Sequence, residues 1–449
     1  MTNEIKALST QPPAFVYARL LIDLHRLIGE GKGDSEEAEA IADRMDAPWY
    51  AMTGREQARM RGLAVDLHAM RDGGPKRLDM STDLIAAWRG ALKEALTRAG
   101  AGDVDAFLNC LRKPIPSALP PQFTPFLQAG CWEKLGDVET ALVFMQEAER
   151  LDPDQAISVM LLLQKLGRQD ELPQYANRVI ENSASPPLEL YLAAVALLVP
   201  TRSMSDAEAA PILRRAVAVL KRALSAYLAL SPAEREASPD ADVAIAQALG
   251  LGLERLGELR SAIEIYSEAI TKHPRIGDLF MARGLALHEV EQQAALQDLS
   301  MAARWGVAAI WPYLLLARHA IQNGAPAEAL RLARVAENQP GPPAARAEVY
   351  EILGMALADL RQPQDDVLMN FDQAIALDPM NDRIRENRHI VAARATPPPG
   401  GRPERLHLQK APPFKPESLR KARNEELDRY NESLYDQHYN RMSMALTPV

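Results

Sequence analysis

Apolar residues recur at three- and four-residue intervals through most of this 449-residue chain, the spacing that gathers them on one face of an α-helix. Near the start, the apolar stretch Phe15 to Ile28 is interrupted by Arg19, Asp23, His25 and Arg26 at helical intervals, which predicts an amphipathic helix rather than a signal peptide. Helix starts follow at Asp34-Ser35-Glu36-Glu37, at the capping box Thr53-Gly54-Arg55-Glu56 and at Ser81-Thr82-Asp83. Pro114, Pro116, Pro120, Pro121 and Pro125 then break the pattern, so a helical N-terminal domain is expected over residues 1–115. Between residues 184 and 242 the pattern predicts connecting helices, one from about Pro187 to Leu198 and one from Asp206 to Leu230 behind a capping box at Ser205 to Glu208.

The segment from Val243 to Pro274 carries Leu249-Gly250, Leu253, Leu256-Gly257, Ala262, Tyr266, Ala269 and a closing Pro274. Its small residues recur one unit later, Gly284 after Gly250 and Ala303 after Ala269, each 34 positions on. A third unit runs from about Ile310 to Gln339 with Tyr313, Ala317, Asn323-Gly324, Ala329 and Ala336, and a fourth from about Ala347 to Pro379 with Leu353-Gly354, Phe371 and Ala374. Upstream, Trp132, Leu135-Gly136, Ala141, Met145, Ala148 and Leu151-Asp152-Pro153 fit the same template, and Ala156 to about Asn182 follows as a degenerate unit with Pro173 where its second helix begins. These units resemble the tetratricopeptide repeat, a helix pair of about 34 residues with small residues at the helix crossing. The resemblance implies an all-α fold, an α-α superhelix or tetratricopeptide-repeat solenoid. It places a first repeat pair at 116–183 and an array with a capping helix at 243–394, while proline content and helical periodicity predict a Pro-rich linker with one amphipathic helix at 395–449. Two details are expected to depart from the template: Arg361 to Asp366 lengthens the turn of the fourth unit, and Asn381 to Ala393 caps the array with a solvent-facing helix.

Composition narrows the function more than the fold. The net charge of -9 argues against a chain that coats phosphate backbones, so nucleic acid is not the expected partner. The two cysteines, Cys110 and Cys131, lie in helical patterns, which makes buried free thiols the reading and a disulfide framework the exception. No apolar run approaches the roughly 20 residues that span a bilayer, so no membrane insertion is expected and the chain is placed in the cytoplasm.

Catalytic patterns fail on spacing. His288-Glu289-Val290-Glu291-Gln292 has Gln292 where a zinc-binding helix needs its second histidine. Gly29 to Ser35 lacks the spacing of a phosphate loop, and Gly250-Leu251-Gly252 lies inside a repeat helix without the third glycine of a dinucleotide site. Asp23-Leu24-His25 and Asp66-Leu67-His68 bind a metal only if neighbouring helices bring them together. We therefore expect no enzyme, no metal and no cofactor, the alternative being a catalytic N-terminal domain in which His25, His68 and acidic groups converge.

The resemblance implies that the first helix of each pair lines a concave groove. It nominates Gln247 and Arg255, Met281 and His288, Trp311, Leu314 and Arg318, then Glu351 and Met355, with Trp311, Arg318 and Met355 foremost. Gln247, Leu251, Met281 and Leu285 stand where some members of the family carry a carboxylate clamp, so an extended peptide or amphipathic helix is the expected ligand. The expected role is a protein-protein interaction scaffold or adaptor that assembles a bacterial complex. In the tail, Leu419, Leu427, Tyr430 and Leu434 form one apolar stripe, and this helix is expected to dock on the chain's own groove or on a partner.

Overall fold

A computed structural model describes residues 11–393, apart from 237 and 289, and residues 407–412. The described chain falls into two compact units, residues 11–185 with 192–200, and residues 186–191 with 201–393 and 407–412. Both are helical, and the strands are two-residue pieces. The amphipathic tail stripe, Leu419, Leu427, Tyr430 and Leu434, lies outside the described residues.

In the first unit, α1 (Pro13–Gly29) packs on α2 (Glu36–Ala51) and α3 (Gly54–Arg71) through a face that includes Ala14, Ala18, Leu21 and Leu27. Ser35 caps α2, and Thr53 with Glu56 closes a capping box on α3, as the sequence predicts. Strand β1 (Arg77–Leu78) pairs in parallel with β2 (Ile115–Pro116), and α4 (Thr82–Gly100) and α5 (Val104–Leu111) lie between them in sequence. Two helical hairpins follow, α6 (Phe123–Lys134) with α7 (Val138–Leu151) and α8 (Ala156–Lys165) with α9 (Leu172–Glu181). The second forms despite Pro173, because proline stands in the first turn of α9, where its missing N–H leaves no hydrogen bond unmade. After it comes α10 (Pro187–Leu198).

The second unit opens with α11 (Asp206–Ala229), capped by Ser205 and Glu208, and the short α12 (Pro232–Glu236). Four hairpins stack after them: α13 (Ala241–Arg255) with α14 (Leu259–Lys272), α15 (Gly277–Leu287) with α16 (Gln292–Arg304), α17 (Ile310–Gln322) with α18 (Pro326–Glu337), and α19 (Pro343–Asp359) with α20 (Gln364–Leu377). Each hairpin packs on the next, which makes this unit a solenoid of tetratricopeptide type with a continuous apolar core. Its close helix crossings use the small residues the repeat pattern marks. The Tyr266 ring occupies the space beside Gly250, Phe371 that beside Gly354, and Asp298 and Leu299 crowd Gly284.

Two local expectations change. The turn between α19 and α20 spans only residues 360–363, one residue more than the turns after α13 and α17 and equal to that after α15, because Gln364, Asp365 and Asp366 form the first turn of α20. Acidic side chains favour that position, facing the positive end of the helix dipole. The last helix, α21 (Asp382–Ala392), is not simply solvent-facing: Ile384, Asn387 and Val391 are buried against the array.

Candidate groove of the second unit

Helices α17, α19 and α21 are the first helices of successive units, and each turns one stripe of side chains to a shared surface. On α19 the stripe is Glu348, Glu351, Ile352 and Met355, spaced so that all four fall on one face. From α17 come Arg318, Ile321 and Gln322, and from α21 come Arg383 and Asn387. A buried ion pair joins Arg318 to Glu348, with Nε donating to Oε1 at 2.6 Å. Arg383 pairs with Glu351, and Asn387 Nδ2 donates to the same Glu351 Oε1 at 2.9 Å. Burial pushes the Glu348 carboxyl up; Arg318 opposes that shift, and the neighbouring Glu351 charge adds to it. Among the described residues Glu351 Oε2 has no hydrogen-bond partner. Both carboxylates are thus buried and paired with arginines, Glu348 with Arg318 and Glu351 with Arg383.

Residues 407–412 of the same unit lie on this surface without helix or strand structure of their own. Gln409 donates its backbone N–H to Asn387 Oδ1 at 2.7 Å, and Asn387 Nδ2 donates to the Gln409 carbonyl at 2.9 Å. One carboxamide thus satisfies both backbone groups of one residue, as a neighbouring strand would. Arg318 Nη1 donates to the Pro412 carbonyl at 3.0 Å. Lys410 Nζ donates to the carbonyl of Gln322 at 2.9 Å, at the end of α17 where carbonyls lack helical partners and the dipole is negative. Leu408 packs on the apolar core, and Lys410 and Ala411 close a cavity of about 10 Å³ over Arg318, Glu351 and Met355.

Of the groove residues nominated from the sequence, Arg318, Glu351 and Met355 meet around this segment. Met281, Trp311 and Leu314 are buried in the apolar core of the array. Gln247 is half-buried on α13. Arg255 donates to the hydroxyl and the carbonyl of Thr201, at 2.7 Å for the latter, which ties α13 to the chain before α11. His288 forms the C-cap of α15 and is half-buried. Sequence reasoning missed Asn387, Glu348 and Gln322. Asn387 and Arg383 stand four residues apart on the helix that follows the fourth unit, and that spacing was the available signal.

The alternative site in the first unit assembles only in part. His25 and His68 do meet, edge to face with ring centroids 6.0 Å apart. Asp66 turns away into a two-bond ion pair with Arg112, at 2.9 and 2.7 Å, while Arg71 stands 3.0 Å from His68 Nδ1. Among the described residues no group of three or more His, Cys, Asp or Glu side chains is placed to hold a metal ion. Cys110 and Cys131 are free and buried, and burial pushes the Cys131 thiol up to about 12. No described helix is long and apolar enough to cross a membrane.

No family model and no curated protein matches the chain. Among solved structures it is similar to YrrB, a TPR protein with an unusual peptide-binding site, at 19% identity over 48% of this chain and 97% of that one, with a TM-score of 0.34. It is similar also to the C-terminal part of a TPR repeat-containing protein from Cytophaga hutchinsonii, at 14% identity over 58% and 98%, with a TM-score of 0.41. A tetratricopeptide repeat protein from Parabacteroides merdae is 11% identical over 68% and 99%, with a TM-score of 0.34. The likenesses are partial.

Proposed function

We propose that this chain is an interaction scaffold or adaptor, and that the surface formed by α17, α19 and α21 holds an extended peptide of a protein partner. The observation that carries the reading is the pairing of Asn387 with both backbone groups of Gln409, since it recognises a peptide main chain whatever its side chains. Burial of Asn387 fixes that carboxamide, and its bond to Glu351 sets which end donates. Arg318 repeats the main-chain contact at Pro412. Side-chain selection is then left to the apolar seat of Leu408 and to the acceptor at the end of α17. A scaffold needs this division, with affinity from the backbone and choice from a few pockets.

The test is fluorescence anisotropy with a labelled peptide covering residues 405–413, titrated with the chain carrying Leu408→Asp and Gln409→Pro, so that its own segment does not compete, and with the same chain carrying Asn387→Leu in addition. Losing two hydrogen bonds and stranding peptide groups costs roughly 1 to 3 kcal/mol. We expect roughly fivefold to 150-fold weaker binding once Asn387 is replaced, and equal binding by both would overturn the reading.

A further inference from the structure

We infer that residues 407–412 are a built-in competitor for the groove: the chain fills with its own segment the surface that a partner's peptide takes, and a partner engages only by displacing it. The inference rests on the groove reading above and adds a default state to it.

The segment is made like a ligand. Its hold on the array is by main chain at Gln409 and Pro412, so another extended peptide can substitute bond for bond. Its side-chain contacts come from Leu408 and Lys410, two residues apart, which an extended chain directs to the same side. A displacing peptide should therefore be extended and carry an apolar residue followed two positions later by a basic one. The carbonyl end of α17, where Lys410 donates to Gln322, favours that positive charge over a negative one.

The segment is also made to leave. His407, Gln409, Lys410 and Pro412 are exposed, and only Leu408 and Ala411 are half-buried. So thin an apolar contact holds a peptide weakly in trans, and local release of such a segment takes little of the stability of the array. Attachment to the same chain compensates, because a short tether gives an effective concentration of about millimolar. A weak ligand thereby becomes the standing occupant, while a partner with one further apolar anchor or a second contact overtakes it.

The experiment compares the full chain with its Leu408→Asp, Gln409→Pro variant. Proline removes the N–H that Asn387 accepts, and aspartate sets a charge on the apolar seat, while every groove residue stays native. The labelled peptide of residues 405–413 is titrated into both proteins, with helicity checked by circular dichroism and mass by sedimentation. We expect both to be equally helical and the peptide to bind the variant at least tenfold more tightly than the native chain. Equal, saturable binding by both would leave the groove reading standing and overturn the competitor. Binding by neither would remove the groove reading and the competitor with it. A native dimer that the variant converts to monomers would overturn it in favour of exchange of the segment between two copies.

Discussion

Tyr266 lays its ring beside Gly250 so closely that a Cβ added there would stand 2.3 Å from Tyr266 Cζ, while the Tyr266 hydroxyl donates to the buried Glu254 at 2.9 Å. The hydroxyl bond pins the ring, so the ring cannot yield to a methyl group at position 250. Gly250→Ala should therefore lose roughly 1 to 3 kcal/mol to overpacking, against a gain of at most about 1 kcal/mol from the helix propensity of alanine. Gly90, with nothing within 4 Å of its added Cβ, is the control. Gly90→Ala should be neutral or stabilising by up to about 1 kcal/mol. Urea unfolding of both variants checks the contrast, and a stable Gly250→Ala would show that the hairpins are looser than described.

Gly284 tests the next hairpin. Its added Cβ would lie 3.1 Å from both Asp298 Cβ and Leu299 Cγ and 3.2 Å from the Ala295 carbonyl, a space closed on several sides. Gly284→Leu should cost roughly 1 to 3 kcal/mol or more, read as a lower urea midpoint.

The Asp66–Arg112 pair is expected to be costly to break from one side. The Asp66 side chain is 2% exposed, and burial raises its carboxyl against the opposing pull of Arg112. Arg112→Leu leaves that carboxylate without its cation, for which about 3 to 5 kcal/mol is the usual loss. Thermal unfolding gives the comparison. The double variant Asp66→Leu, Arg112→Leu should recover part of the stability, since no charge is then stranded.

His25 should make the fold sensitive to mild acid. Burial first, then the charges of Arg71 and His68, hold its imidazole below the ordinary value of about 6.5. The unfolded chain consequently binds the proton more readily, so stability is whole above that value and falls as pH drops through it towards the folded value. The urea midpoint should be lower at pH 5.5 than at pH 7.5. His25→Gln should flatten this difference, and an unchanged slope would assign the pH dependence to other groups.

Cys131, buried and with its thiol pushed up to about 12, should resist alkylation at pH 8 in the native chain and react at once in urea. Mass spectrometry after a brief iodoacetamide pulse distinguishes the two states.

The repeats were legible because their chemistry is local. Gly250, Gly284, Ala262 and Tyr266 announce helix crossings by size and interval, and Thr53 with Glu56 announces a helix start within four residues. Pro173 marks the start of the second helix of its unit, and α9 does begin at Leu172, with the proline in its first turn. The turn after α19 misled, since Arg361 takes a left-handed φ of 57°, a conformation usually left to glycine, and so reverses the chain in fewer residues than its composition suggests. The groove was legible in part. Arg318, Glu351 and Met355 follow from repeat register, but Asn387 does not, because its role depends on a segment beyond residue 393 returning to meet it. No periodicity encodes that return.

Arg318, Glu351 and Asn387 stand on three successive first helices, and this distribution limits how such a protein can diversify. A hairpin can be duplicated or lost as a cassette without harming its neighbours' cores. Here the reading head straddles two joints, so losing the cassette 343–377 would set α21 directly after the α17–α18 hairpin and erase Glu351 together with its hold on Asn387. Copy number and recognition are thus coupled in this array: a change of repeat count resets what the chain reads, whereas point changes within α17, α19 and α21 retune it.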